Sequence, residues 1–141
     1  MSEPLRFRYP VDGNNFTSAG EASVAVKKKL RQLGLSPEVI RRVSIAMYEG
    51  EINMVIHARG GEAEVLVYPD RIEIILTDEG PGIADIDLAM QAGYSTAPDN
   101  IRSLGFGAGM GLPNMKSYTD EMTIESTVGV GTKIMMTVYV K

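Results

Sequence analysis

The sequence predicts an α+β fold: a two-layer sandwich of a mixed, mostly antiparallel sheet covered on one face by helices. Three observations carry it. Two alternating segments meet at Pro69-Asp70, two more close the chain on either side of Val128-Gly129-Val130-Gly131, and two helix-period segments stand side by side ahead of them. Consecutive paired strands favour antiparallel neighbours, and helices grouped in sequence favour a single covered face. With 141 residues, 44% of them apolar, the chain is expected to form one domain over residues 1–141 around a sizeable core.

Each element has a local reason. Leu5 to Val11 alternates and predicts a short strand. Ser18-Ala19-Gly20-Glu21 reads as a capping box opening a helix that runs to about Leu33. Ser36-Pro37-Glu38 opens a second helix, with Ser as cap, Pro in the first turn and an acid near the positive end of the dipole. That helix meets no breaker before Arg59-Gly60-Gly61 and should be the longest. Glu62 to Tyr68 and Arg71 to Thr77 then form a hairpin. A mixed segment follows, with a short helical stretch near Asp87 to Gln91 and a long loop from Gly93 to Asn100, of the kind that serves as a lid. Leu112 to Tyr118 reads as helix, and strands around Glu121 to Thr127 and Thr132 to Val140 end the chain.

Composition narrows the function. Fourteen Lys plus Arg against 18 Asp plus Glu leave a formal charge of -4, which argues against a nucleic-acid backbone as partner. The absence of cysteine removes disulfides, thiolate metal sites and a catalytic thiol. The first residues lack the order of a signal peptide, and no apolar run approaches the roughly 18 residues of a membrane span. The expectation is a soluble, cytoplasmic protein without a membrane role.

Three places carry candidate chemistry. Glu49 and Asn53 are four apart on the long helix, so they share a face about 6 Å apart along its axis, among Ile45, Ile52 and Ile56. A carboxylate and an amide in such a stripe either reach its solvent edge or await a partner. Asp78 ends a strand and precedes Gly80 and Gly82, a pattern that fits a plain turn or an acceptor beside room for a flat ligand. Gly105, Gly107, Gly109 and Gly111 recur at every second position before a helix, either as a hinge or as a cradle of backbone N–H groups for an anion. Met110 and Leu112 stand where a Rossmann fingerprint would need glycine, and no Gly-Lys-Ser/Thr follows as in a Walker loop. His57 is the only histidine, which excludes paired-histidine metal sites. Ser95 and Thr96 sit in the lid segment, and Lys27-Lys28-Lys29 with Arg31 reads as a solvated face.

In this order and spacing the motifs resemble the GHKL ATP-binding fold of gyrase, heat-shock chaperones, MutL and histidine kinases, from about Val24 to Val140. Within it, Glu49-Gly50-Glu51-Ile52-Asn53 and Gly107-Ala108-Gly109-Met110-Gly111-Leu112-Pro113 are most similar to small bacterial anti-sigma factors and switch serine kinases. The resemblance implies ATP and Mg2+ as cofactors, Glu49 as general base and Asn53 as metal ligand. It implies that Asp78 accepts the adenine amino group, that Gly80 and Gly82 shape the base pocket, and that Thr132 supports that contact. It assigns the phosphates to the Gly105–Leu112 segment, Met110 included, and the ATP lid to about residues 83–103. Sensor histidine kinase activity is not expected, because His57 shares the helix of the metal ligand.

The function implied is a protein serine/threonine kinase passing the ATP γ-phosphate to a small partner, an anti-anti-sigma protein of the STAS type; a sigma factor is the partner implied if the chain sequesters rather than phosphorylates. The alternatives are a nucleotide-dependent sequestering module and an ATPase subunit without kinase activity. The first strand and helix fit pairing of two copies in a homodimer, as in some relatives, and Leu5-Arg6-Phe7-Arg8-Tyr9 equally fits completing the sheet of a single copy.

Overall fold

The computed structural model describes residues 4–12, 20–57, 60–80 and 111–140. Among them the chain runs β1 (Leu5–Asp12), α1 (Glu21–Gln32), α2 (Pro37–His57), β2 (Gly60–Val67), β3 (Arg71–Asp78), α3 (Gly111–Ser117), β4 (Glu121–Thr127) and β5 (Gly131–Tyr139). The strands form one sheet in the order β1-β2-β3-β5-β4, and every pairing is antiparallel, so the mixed component that the sequence allowed is absent among the described residues.

Alternation decides the layers. Ile72, Ile74 and Leu76 of β3 are buried, as are Ala63 and Val65 of β2 and Ile134, Met136 and Val138 of β5. Phe7, Tyr9 and Val11 extend this inward row on β1, and Met122 and Ile124 extend it on β4. The residues between them point to the other face, where Arg8 binds Glu64 at 2.7 Å and Arg71 binds Glu73 at 3.0 Å. The hydrogen bond to Glu64 and its charge hold the Arg8 guanidinium above its usual value, and burial pushes the Tyr9 phenol up. The β2–β3 hairpin closes through Pro69-Asp70, with Tyr68 N donating to Arg71 O at 2.8 Å. The Arg71 guanidinium stacks 3.9 Å from the Tyr68 ring centroid.

The helices cover the inward face. Ala22, Val26 and Leu30 of α1 and Val39, Val43, Ala46, Met47 and Met54 of α2 join the same core as the strands. As predicted, Ser36 caps α2: its Oγ accepts from Val39 N at 3.3 Å and its carbonyl from Ile40 N at 3.0 Å. Gly50 sets how closely α2 lies. A Cβ at that position would fall 2.1 Å from Leu76 Cδ1, so a larger residue would have to displace the buried Leu76 side chain, and glycine lets the helix rest on β3 beside Met115 of α3.

The start of α1 differs from the capping box read in the sequence. The helix follows Gly20, whose φ of 99° is left-handed, and no side chain at that position caps it. The proposed cap, Ser18, lies outside the described residues. Capping comes from across the core. Glu51 of α2, only 2% exposed, accepts from Gly20 N at 3.0 Å and Ala22 N at 3.1 Å through Oε2, and from Ser23 N at 2.6 Å through Oε1. The Ser23 hydroxyl returns a bond to Gly20 O at 2.9 Å. A carboxylate at a helix N-terminus satisfies donors that the helix cannot pair itself and sits at the favourable end of its dipole.

Removing that carboxylate leaves buried donors without partners. Glu51→Ala is expected to lower the unfolding free energy by about 2 to 4 kcal/mol in urea titration. Stability within 0.5 kcal/mol of the parent chain, on the order of a neutral surface change, would contradict the capping role.

Candidate nucleotide-binding site

The packing at Gly50 positions the site. Leu76, which Gly50 approaches, lies two residues before Asp78 in β3, about 7 Å along the strand. Gly50 therefore packs two residues short of the Asp78 end of β3, and α3 lies beside α2, where Asn114 meets Glu49. The Glu49 and Asn53 side chains are half-buried, at the margin of the buried stripe. Ile52 is buried and Ile45 half-buried, while the side chains of Ile56 and His57 are outside the described set. Glu49 Oε1 accepts from Asn114 Nδ2 of α3 at 3.4 Å. Among the described residues the Asn53 side chain has no hydrogen-bond partner, leaving its amide oxygen open.

Asp78 is held more tightly. Its Oδ1 accepts from Gly80 N at 2.9 Å and from Thr132 N at 3.1 Å, so one oxygen is fixed by backbone. The other, Oδ2, has no partner among the described residues. Three backbones crowd this point: a Cβ on Gly61 would lie 2.2 Å from Thr77 O, and one on Gly131 would lie 2.1 Å from Asp78 O. The two glycines let β2 and β5 close on the end of β3. Thr132 is 7% exposed, and its Oγ1 is 3.0 Å from Ser126 Oγ, which also lies 3.2 Å from Gly131 O.

The two acids thus differ in kind. Asp78 is a fixed acceptor with one oxygen open, suited to a donor such as an exocyclic amine. Glu49 is a longer side chain steadied by one amide. No group of three or more His, Cys, Asp or Glu that would hold a metal ion occurs among the described residues. The unpaired amide oxygen of Asn53 nevertheless fits a hard cation that takes oxygen ligands and completes its shell with phosphate and water.

Gly80 lies two residues after Asp78, across Glu79, and its N–H turns back to the Asp78 carboxylate. Gly111 and Leu112 open α3, with Leu112 buried. Gly82, Gly105, Gly107, Gly109, Met110, Ser95, Thr96 and the lid segment 83–103 lie outside the described residues. Sequence reasoning passed over Asn114 and Ser126. Ser126 was detectable, because it continues the inward row of Met122 and Ile124, where a hydroxyl needs a partner. Asn114 had no comparable signal in a helix of seven residues.

This sheet, with its helices on one face and an acceptor acid where β3 leaves the sheet, defines a nucleotide-binding ATPase domain. Residues 14–138 match the histidine kinase-like ATPase domain family, and the chain belongs to it. It is 36% identical over 121 residues to the anti-sigma F factor of Clostridium novyi (strain NT), covering 82% of this chain and 81% of that protein. With the anti-sigma F factor of Clostridium acetobutylicum the identity is 38% over 120 residues, covering 82% and 80%. A solved SiaB–SiaC complex from Pseudomonas aeruginosa contains a similarly folded chain, with a TM-score of 0.54, 12% identity and coverage of 96% of this chain and 89% of that one. Membership in the family makes ATP the nucleotide.

Asp78→Asn tests the open oxygen, since the amide retains an acceptor for Gly80 N and Thr132 N and can place an NH2 group where Oδ2 stood. Binding of a fluorescent ATP analogue is expected to weaken at least about tenfold, roughly 1.4 kcal/mol, with little change in melting temperature. Equal affinity in titration would remove Asp78 from the nucleotide site.

Proposed function

We propose that this chain is a Mg-ATP-dependent protein serine/threonine kinase of the anti-sigma-factor type, which passes the γ-phosphate to a hydroxyl of a small protein partner. The observation that carries the proposal is that one row of α2 holds both Glu49, which accepts from Asn114, and Asn53, whose amide has no partner among the described residues. Similarity to anti-sigma F factors supports the same reading.

Phosphoryl transfer asks a protein mainly for positioning and charge stabilisation. Asp78 accepts the adenine amino group through Oδ2, with Gly80 and Gly82 flanking the base and Thr132 bracing the carboxylate from behind. Asn53 would hold Mg2+, which would supply positive charge to offset that of the phosphates. The phosphates are assigned to the Gly105–Leu112 segment on the family relationship alone. Glu49 accepts the proton of the incoming hydroxyl as that oxygen bonds to the γ-phosphorus. The bond to the β–γ bridging oxygen breaks with its electron pair going to ADP, and the proton later leaves Glu49 for solvent. The partner that fits the family relationship is a STAS-type anti-anti-sigma protein; sequestration of a sigma factor is the competing use of the same surface.

Two substitutions separate the roles. Glu49→Gln is expected to bind ATP within about twofold of the parent and to lose transfer by about 10² to 10⁴. Asn53→Ala is expected to abolish the increase in ATP affinity that Mg2+ brings, measured by titration with and without the ion. Incubation with γ-labelled ATP and candidate partners reads the activity: label on a partner serine or threonine supports the kinase. A stoichiometric complex without label supports sequestration instead, and a normal transfer rate in Glu49→Gln would overturn the base assignment.

A further inference from the structure

We infer that Asn114 is a positioning residue for the phosphoryl-transfer step, holding the Glu49 carboxylate in one orientation. The inference rests on the kinase reading above and specifies what that reading leaves open: how a flexible glutamate becomes a directed base. Glu49 and Asn114 are 65 positions apart in sequence and meet only because α2 and α3 pack together.

The contact is built from both sides. Next to Glu49, Gly50 lacks the side chain that would collide with Leu76, and it lies beside Met115 Sδ. Next to Asn114, Met115 is fully buried, and Leu112 one turn earlier is 7% exposed. The backbones that carry the donor and the acceptor are therefore locked to each other by their immediate neighbours. Because an ionised carboxylate only accepts, the nitrogen of the Asn114 amide must face it, and the bond takes Oε1. Oε2 has no partner among the described residues and is the oxygen left to receive a proton. A glutamate otherwise distributes its carboxylate among several rotamers, and fixing one of them before the reaction avoids that cost at the transition state.

Asn114 is half-buried and also lies within the hydrogen-bond ladder of its own helix, where its carbonyl accepts from Tyr118 N at 3.1 Å. Its backbone thus belongs to α3 and its side chain to α2. The amide carries no charge, so it orients the base without adding a competing cation beside the metal ligand.

The test uses the full chain with Mg-ATP, reading hydrolysis of labelled ATP, with water as acceptor, alongside affinity for a fluorescent ATP analogue. Asn114→Ala is expected to lower kcat about 10- to 100-fold while KM and analogue affinity stay within twofold. Asn114→Gln, which keeps the donor, is expected to recover at least half of the parent rate. Adding Asn114→Ala to Glu49→Gln is expected to cause no further loss, because the residue acts through Glu49. An unchanged kcat in Asn114→Ala, or the same fold-loss in the Glu49→Gln background, would overturn the role of Asn114 and leave the base assignment standing. A normal rate in Glu49→Gln would overturn the base assignment and the positioning role with it. A loss in Asn114→Ala that appears equally in analogue affinity and melting temperature would assign the residue to folding and also overturn the proposal.

Discussion

The buried carboxylate of Glu51 is the contact on which the arrangement of the helices depends. It draws three backbone N–H groups of the α1 N-terminus onto α2, at 2.6 to 3.1 Å, where water does not reach. A charge in that position is tolerated because the helix end supplies donors and a favourable dipole together. One residue earlier, Gly50 lets α2 settle onto Leu76 and Met115. One residue earlier again, Glu49 turns toward α3 and bonds Asn114. Successive residues of one helix turn about 100° from each other, so Glu49, Gly50 and Glu51 face three different neighbours: α3, the sheet and α1. The middle contact sets the depth of the helix, and the outer two set what it holds on either side.

An acidic chain that binds a polyanion must find its stabilisation outside bulk charge. Arg8, Arg42 and Arg71 are engaged with Glu64, Asp120 and the Asp70/Glu73 pair, and these contacts brace the sheet and the α2–β4 corner. The proposed site instead uses neutral groups: the Asn53 and Asn114 amides and the backbone around Asp78. Oriented dipoles cost less desolvation than buried ions and need little reorganisation when charge moves. Asp78 Oδ1 is likewise held by two backbone donors rather than by a cation, and Oδ2 is left without a partner among the described residues.

Much of this was legible in the sequence. The alternation of β1, the Pro69-Asp70 hairpin, the Ser36 cap and the length of α2 all follow from local patterns of apolar and turn-forming residues, and all are present. Asp78 and Gly80 lie together at the end of β3, and Glu49 and Asn53 share a row, because spacing along a strand or helix dictates which residues are neighbours. The cap of α1 was misread. Ser18 to Glu21 carries a capping signature, yet the donors go to Glu51, 28 to 31 positions away, and a local motif carries no information about a distant carboxylate.

By itself the sequence determined the elements, the faces they bury and the family to which the chain belongs, since periodicity, turn chemistry and motif order are all short-range properties. The tertiary structure alone decided the partners of side chains that no spacing rule connects. Sheet order brought β5 between β3 and β4, so that Thr132 N reaches Asp78 and Ser126 meets Thr132. Close packing at Gly50 brought α3 beside α2, so that Asn114 reaches Glu49. The physical reason is the same in each case. Which polar groups are left facing one another depends on how closely the layers pack, and that distance is set jointly by residues far apart in the chain.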